Sequence, residues 1–270
     1  IKKSSLEFFN TNGLPSKKLE NWKFTSSKNF KNFNKSSSKA EKQKIEPDEL
    51  SIVFINGVLD IDSLENFKFS DLLEVKNLNE IDNEELLHCS ANFLNESMFN
   101  LGVSEFENGN YLSFKKNSVV DEVINIKNYF FENGENERVS SYNIFHINEG
   151  SEISIIEEDI KENYSIFNLK LNKFICENSS ILKYGKSFND DSQTHSLSYN
   201  YYQIEKDVAL SVDSMVKSSF FNKEFIEVDL NNVGSDAKIN ILNLGKQEQH
   251  VDNNILINHN AEHCTSFQHV

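Results

Sequence analysis

The reading turns on Val119-Val120-Asp121-Glu122-Val123-Ile124-Asn125-Ile126, in which apolar and polar residues nearly alternate. A period of two puts successive side chains on opposite faces of an extended chain, so the stretch predicts a half-buried strand. The texture returns in Ser151-Glu152-Ile153-Ser154-Ile155, Phe167-Asn168-Leu169-Lys170-Leu171, Val208-Ala209-Leu210-Ser211-Val212, Ala237-Lys238-Ile239-Asn240-Ile241 and Asn254-Ile255-Leu256-Ile257. Roughly ten strands, recurring roughly every 10 to 20 residues and joined by polar Asn, Ser, Lys and Glu clusters, make residues 105–270 all-β. Sandwich, jelly roll and β-helix all remain open on this pattern. Short rungs, polar outside and carrying single Ile, Leu, Val or Phe residues inside, suit a solenoid whose rungs bury their faces against their neighbours. No clean repeat period is visible.

Residues 1–104 read differently, as an arm, a hairpin and a helix. Ser51-Ile52-Val53-Phe54-Ile55 runs into Asn56-Gly57 and Val58-Leu59, and Asn-Gly supplies the two positive-φ positions of a tight hairpin over 51–60. Asp82 as N-cap, Glu85 reaching back and Ile81 stapled to Leu86 predict a helix over about 83–99, with Leu87, Ala91, Leu94 and Met98 on one apolar stripe. That stripe reads as core. The first 50 residues are Lys- and Ser-rich, from Lys17 and Lys18 to Lys44, and read as a solvated arm, with an electrostatic contact to an acidic partner as the other reading. Within it Leu19, Trp22 and Phe24 are placed to anchor a short amphipathic turn.

Forty-two acidic residues against 27 basic give a net charge of −15. Arg138 is the sole arginine, so the bidentate phosphate grip is nearly absent and nucleic acid is not expected as a partner. Mean hydropathy is −0.52 and no apolar run reaches the roughly 20 residues of a membrane helix, so a soluble chain away from membranes is expected. Cys89, Cys176 and Cys264 are odd in number and far apart, which fits a reducing cytoplasm better than a disulfide framework. The 38 Asn against 9 Gly match a compositional bias of the kind an AT-rich genome produces, and Asn also closes turns in place of Gly. The absence of a starting Met and the polar, strand-like last residues suggest a fragment.

No GxGxxG, Walker loop, GxSxG, HExxH or EF-hand pattern occurs, and no residue is assigned as catalytic. Glu157-Glu158-Asp159 and Asp190-Asp191 are carboxylate runs of the kind usually solvated. His250, His259, His263, Cys264 and His269 crowd the last 21 residues. Imidazole and thiolate at this spacing could hold Fe, Zn or Cu, which makes His259, His263 and Cys264 the metal candidates. The competing reading is that they are ordinary rung and turn residues with Cys264 as a small apolar group. His146 follows Phe145 on text faintly like a cupin metal strand but lacks the HxH pair.

Two blocks resemble a known family. Leu14-Pro15-Ser16-Lys17-Lys18-Leu19-Glu20-Asn21-Trp22-Lys23-Phe24-Thr25 is similar to the LPxxxxExWxYT segment of the SufB/SufD iron–sulfur assembly family, with Phe24 in place of the usual Tyr. The Phe54-Ile55-Asn56-Gly57 hairpin adds to the likeness. Gln249-His250-Val251-Asp252-Asn253 through His259, His263-Cys264-Thr265-Ser266 and Gln268 resembles the family's HVD…H…HCTSxQ block, on the SufD-like side of the family. The resemblance implies a right-handed parallel β-helix over 105–270, incomplete at its C-terminal end, behind a small helical or mixed N-terminal region. It also implies a non-catalytic scaffold working beside SufB and the ATPase SufC, with an iron–sulfur cluster held transiently by the complex, ATP bound by SufC and no cofactor on this chain. In the family the cluster-site His and the domain that docks SufC follow the HCTSxQ block, so neither is assigned here. Two other readings remain: a cupin-like β-fold metalloenzyme using His259, His263 and Cys264 with His146, and an extracellular carbohydrate-acting β-helix, disfavoured by the lack of an export segment.

Overall fold

Each alternating segment falls on a longer strand, with Ser151 and Val208 one residue ahead of theirs, and the strands wind into a β-solenoid of about five turns behind an N-terminal helix. The computed structural model describes residues 1–36, 45–81, 89–131, 134, 136–161, 165–189, 194–217, 220–245 and 249–270. One sheet runs β15 (His250–His259), β13 (Phe221–Leu230), β11 (His195–Ile204), β9 (Ile166–Cys176), β7 (Glu137–Ile147), β5 (Asn110–Phe114), β4 (Leu73–Asn77), with β1 (Asn34–Lys35) beside β7. The other runs β16 (Thr265–His269), β14 (Asp236–Leu244), β12 (Ala209–Lys217), β10 (Ile181–Asn189), β8 (Glu152–Lys161), β6 (Val119–Phe130), β2 (Ser51–Ile55), β3 (Val58–Leu59). From β5 onward odd strands build the first sheet, even strands the second, and the ladders between them are parallel. A cupin barrel is antiparallel, so this topology removes the cupin alternative.

The missing period is explained by register. Glu137 pairs with Ile166, Phe167 with His195, His195 with Phe221 and Phe221 with His250, intervals of 29, 28, 26 and 29 residues. What recurs is a backbone state. Asn117, Gly150, Ser179, Asp207, Gly234 and His263 all have positive φ, between 55° and 79°, and each stands two residues before an even strand. The next residue, Ser118, Ser151, Ser180, Val208 or Ser235, is buried, and Cys264 takes the same place in the last bend. Five different residue pairs, Gly-Ser being used twice, thus satisfy one turn geometry at six bends, with Asn, Ser, Asp and His held in the left-handed region that Gly adopts freely.

The two faces of the first sheet are both covered. Inward lie Phe145, Phe174 and Tyr202, stacked at 4.6–4.9 Å between ring centroids, above Ile153, Leu182, Val212 and Ile239 of the second sheet. The other half of the interior is polar. Asn110, Asn143, Asn172 and Asn200 form a ladder of amide bonds at 2.9, 3.3 and 3.1 Å. Beside it Lys170 contacts Glu157 and Asp159, and Lys186 pairs with Glu224 at 2.6 Å with both side chains 1 % exposed. Burial alone would lower the Lys170 ammonium, but Asp159 and Glu157 together raise it above its ordinary value.

Outward, the first sheet is roofed by the N-terminal region. Helix α1 (Lys2–Asn12) packs on α3 (Ser97–Glu105), where the Lys2 ammonium bonds the Phe106 carbonyl at 2.7 Å and lies over the Phe106 ring. The expected single helix over 83–99 is different in the structure. Residues 82–88, with the Asp82 cap, lie outside the described residues; beyond them α2 (Ala91–Leu94), capped by Ser90, ends at Asn95, and α3 starts at Ser97 and runs on to Glu105. The 51–60 hairpin is present, with Asn56 and Gly57 at φ 46° and 79°. Its strand β2 pairs parallel to β6 and β4 pairs antiparallel to β5, so strands from residues 1–104 complete the first edge of both sheets.

Over residues 21–36 the basic arm is docked, in place of the expected solvated arm, while Lys39, Lys42 and Lys44 lie outside the described residues. Trp22 is 0 % exposed against Phe30 and Phe225, Phe30 stacks on Phe167 at 4.7 Å, and Phe33 meets Phe167 and His195. Leu19 and Phe24, expected as anchors, point to solvent at 51 % and 77 % exposure. A short 3₁₀ turn at Glu20–Trp22 leaves only one of the three facing the sheet. Residues 21–36 form a strap that crosses the outer face from β15 to β7, from the Asn21–Asn254 bond to the Asn34–Glu137 pairing.

Candidate functional site

The two sequence blocks that drew attention at opposite ends of the chain meet on this outer face. Thr25, 1 % exposed, places Oγ1 2.9 Å from His250 Nε2 and in contact with Asp252 Oδ2. A carboxylate only accepts, so the single hydroxyl proton goes to Asp252 and His250 Nε2–H donates to Thr25. Asp252 Oδ2 also takes a 2.5 Å bond from the Lys223 ammonium, which sits 4.7 Å from the Phe225 ring centroid and 5.1 Å from that of Trp22. Glu96 Oε2 accepts from Trp22 Nε1 at 2.9 Å. Burial lowers Lys223, opposed by Asp252. Burial also lowers His250, with Lys223 and Lys17 acting in the same direction and Asp252 against it. The imidazole stacks flat on Phe221 at 5.4 Å. The cluster can bond segments together and shift a proton at His250. Its hydroxyl is sealed under the strap.

The C-terminal metal candidates part ways. His259 ends β15, exposed, with Nε2 2.9 Å from Ser266 Oγ. His263 is the left-handed residue of the last bend, equivalent to Gly150 and Gly234. Cys264 follows it, and its thiol donates to the Asn232 carbonyl at 3.1 Å, much as Ser235 Oγ contacts the Glu205 carbonyl one coil earlier. Among the described residues no group of three or more His, Cys, Asp and Glu is arranged to hold a metal. His146 bridges Tyr111 OH at 2.7 Å and Glu177 Oε1 at 3.0 Å. Glu157 and Asp159 turn inward onto Lys170, Glu158 turns out, and Asp190 and Asp191 lie outside the described residues. Burial pushes the Cys89 thiol up to about 11 and raises Cys176 further, so both stay protonated.

Sequence reasoning singled out Trp22, His250 and Asp252 but missed Thr25 and Lys223 as their partners. An inward or roofed lysine on a strand buried on both faces was the available signal, in Asn222-Lys223-Glu224. Among the described residues no helix is long and apolar enough to cross a membrane.

Fold and junction together define a two-sheeted parallel β-helix strapped by its own N-terminal segment. Residues 130–270, just over half of the chain and the span of β7–β16, match the family model described as SUF system FeS cluster assembly, SufBD core domain. The chain therefore belongs to the SufB/SufD family and takes part in iron–sulfur cluster assembly by the SUF system. A search of curated proteins returned no match.

Proposed function

We propose that this chain is a SufD-like, non-catalytic scaffold subunit that works in the cytoplasm in a complex with SufB and SufC. The observation that carries the reading is the family match over the coils themselves, joined to an N-terminal Trp22–Thr25 block that docks on the HVD block at His250 and Asp252. On this reading the chain's work is binding through a rigid surface. The iron–sulfur cluster is cargo that forms at the level of the complex, and ATP acts through SufC. The bonds of His259 to Ser266 and of Cys264 to the Asn232 carbonyl support reading these residues as rung and turn residues of the last coil.

The test is co-purification of the chain with SufB and SufC, followed by anaerobic iron and sulfide analysis of the complex and of the chain alone. A stable complex that carries cluster, while the lone chain carries none, is the expected result. Stoichiometric metal on the lone chain with no complex formed overturns the reading and returns His259, His263 and Cys264 to the centre.

A further inference from the structure

The strap has a second face. Residues 1–36 carry eight lysines against two glutamates in a chain whose net charge is −15. Lys17, Lys18, Lys23, Lys28 and Lys31 are exposed, and among the described residues none of them is ion-paired. Phe24 stands among them at 77 % exposure, with the Lys23 ammonium 5.5 Å from its ring centroid. The buried Trp22, Phe30 and Phe33 fix the backbone beneath, so these cations are held on a packed support. The strap that carries Lys23, Lys28 and Lys31 crosses five strands, about 19 Å at about 4.8 Å per strand and the length of a helix of about 13 residues, and Lys17 and Lys18 precede its β15 end.

We propose that this outward face of the strap is a docking surface for an acidic polypeptide segment, a short helix presenting carboxylates to the lysines and one apolar side chain to Phe24. Charge complementarity selects the sign of the partner, and the exposed ring beside the cations gives it an anchor. A nucleic acid fits less well. The only guanidinium, Arg138, is committed to Glu105 through two bonds at 2.7 and 2.5 Å, leaving no bidentate phosphate fork, and one aromatic ring makes no stacking series. The acidic remainder of the chain also repels any polyanion longer than the ridge. The inference stands independently of the scaffold reading.

The test is anisotropy titration of a labelled Glu-rich helical peptide of about 13 residues with one central Leu, added to the full chain at about 0.05 M salt. Lys17→Glu/Lys18→Glu/Lys23→Glu is expected to weaken binding about tenfold or more, and Phe24→Ala about threefold at unchanged charge. Lys28→Glu/Lys31→Glu provides a second charge reversal should the first disturb the strap, with circular dichroism as the folding control. No saturable binding, equal binding by both charge-reversed variants, or tighter binding of oligothymidylate or of phosphatidylserine vesicles than of the peptide overturns the proposal.

Discussion

Thr25 and His250 are 225 positions apart in the chain and 2.9 Å apart in space. The contact ties the N-terminal strap to β15, with Asp252 and Lys223 completing the tie. Replacing Thr25 with Val keeps the volume and leaves Asp252 and His250 short of a buried partner, a loss of about 1–3 kcal/mol. Urea unfolding should show that loss, and a change within error would place the hold elsewhere.

Trp22 holds the strap by packing. Its side chain is 0 % exposed, and Trp22→Ala should destabilise the chain by about 3–5 kcal/mol. In hydrogen exchange, protection of the amides at 21–36 should fall before that of β9 and β11. Exchange that rises uniformly instead would mean that the strap and the coils unfold as one.

His250 predicts a pH dependence. Its folded-state pKa lies below the ordinary 6.5, first through burial and then through Lys223 and Lys17, with Asp252 opposing. The folded state therefore disfavours the imidazolium. Its contribution is fully present above pH 6.5 and is lost as pH falls from there through the folded-state value. A thermal melt series should show the strap loosening on acidification over that window. His250→Gln should flatten the slope, and an unchanged slope would assign it to another group.

Lys186 and Glu224 face each other inside the coils, both 1 % exposed. Lys186→Met strands the carboxylate and should cost about 3–5 kcal/mol, whereas Lys186→Met with Glu224→Leu should recover much of it. A double variant as unstable as the single would show that Ser198, Ser214 and Asn200 around the pair matter more than the charges.

The shared bend makes opposite predictions for two residues. Gly234 has φ 79° and a Cβ added there meets the Asp207 carboxylate, so Gly234→Ala should destabilise by about 1–2 kcal/mol. His263 holds the equivalent position at φ 59°, and His263→Gly should leave the melting temperature unchanged or raised. A marked drop for His263→Gly would point to an interaction of the imidazole beyond the turn.

The strands facing solvent on one side were legible, because Val208–Val212 and Ala237–Ile241 alternate as their burial does. Strands β11 and β13 were not. They are buried on both faces, and their inward Ser198, Asn200, Asn222 and Glu224 read as loop text until the polar half of the interior is known. The repeat was hidden for a related reason. Its invariant is a sign of φ shared by Asn117, Ser179, Asp207 and His263, which no residue identity records. Of the junction, Trp22 and the His250–Asp252 block were visible as motifs, but pairing them needs the strap's path across the sheet, a property of topology. Leu19 and Phe24 misled because an apolar residue on a short exposed turn carries no mark of which way it faces.

The strap is also a ruler. Its reach is fixed at one end by Asn34 beside Glu137 and at the other by Asn21 and Thr25 against β15. Adding one coil between these ends would carry His250 about 4.8 Å beyond Thr25, and removing one would leave the segment slack by the same step. Lengths of individual bends are free to drift, as the intervals of 26 to 29 residues show. The number of coils under the strap is gauged.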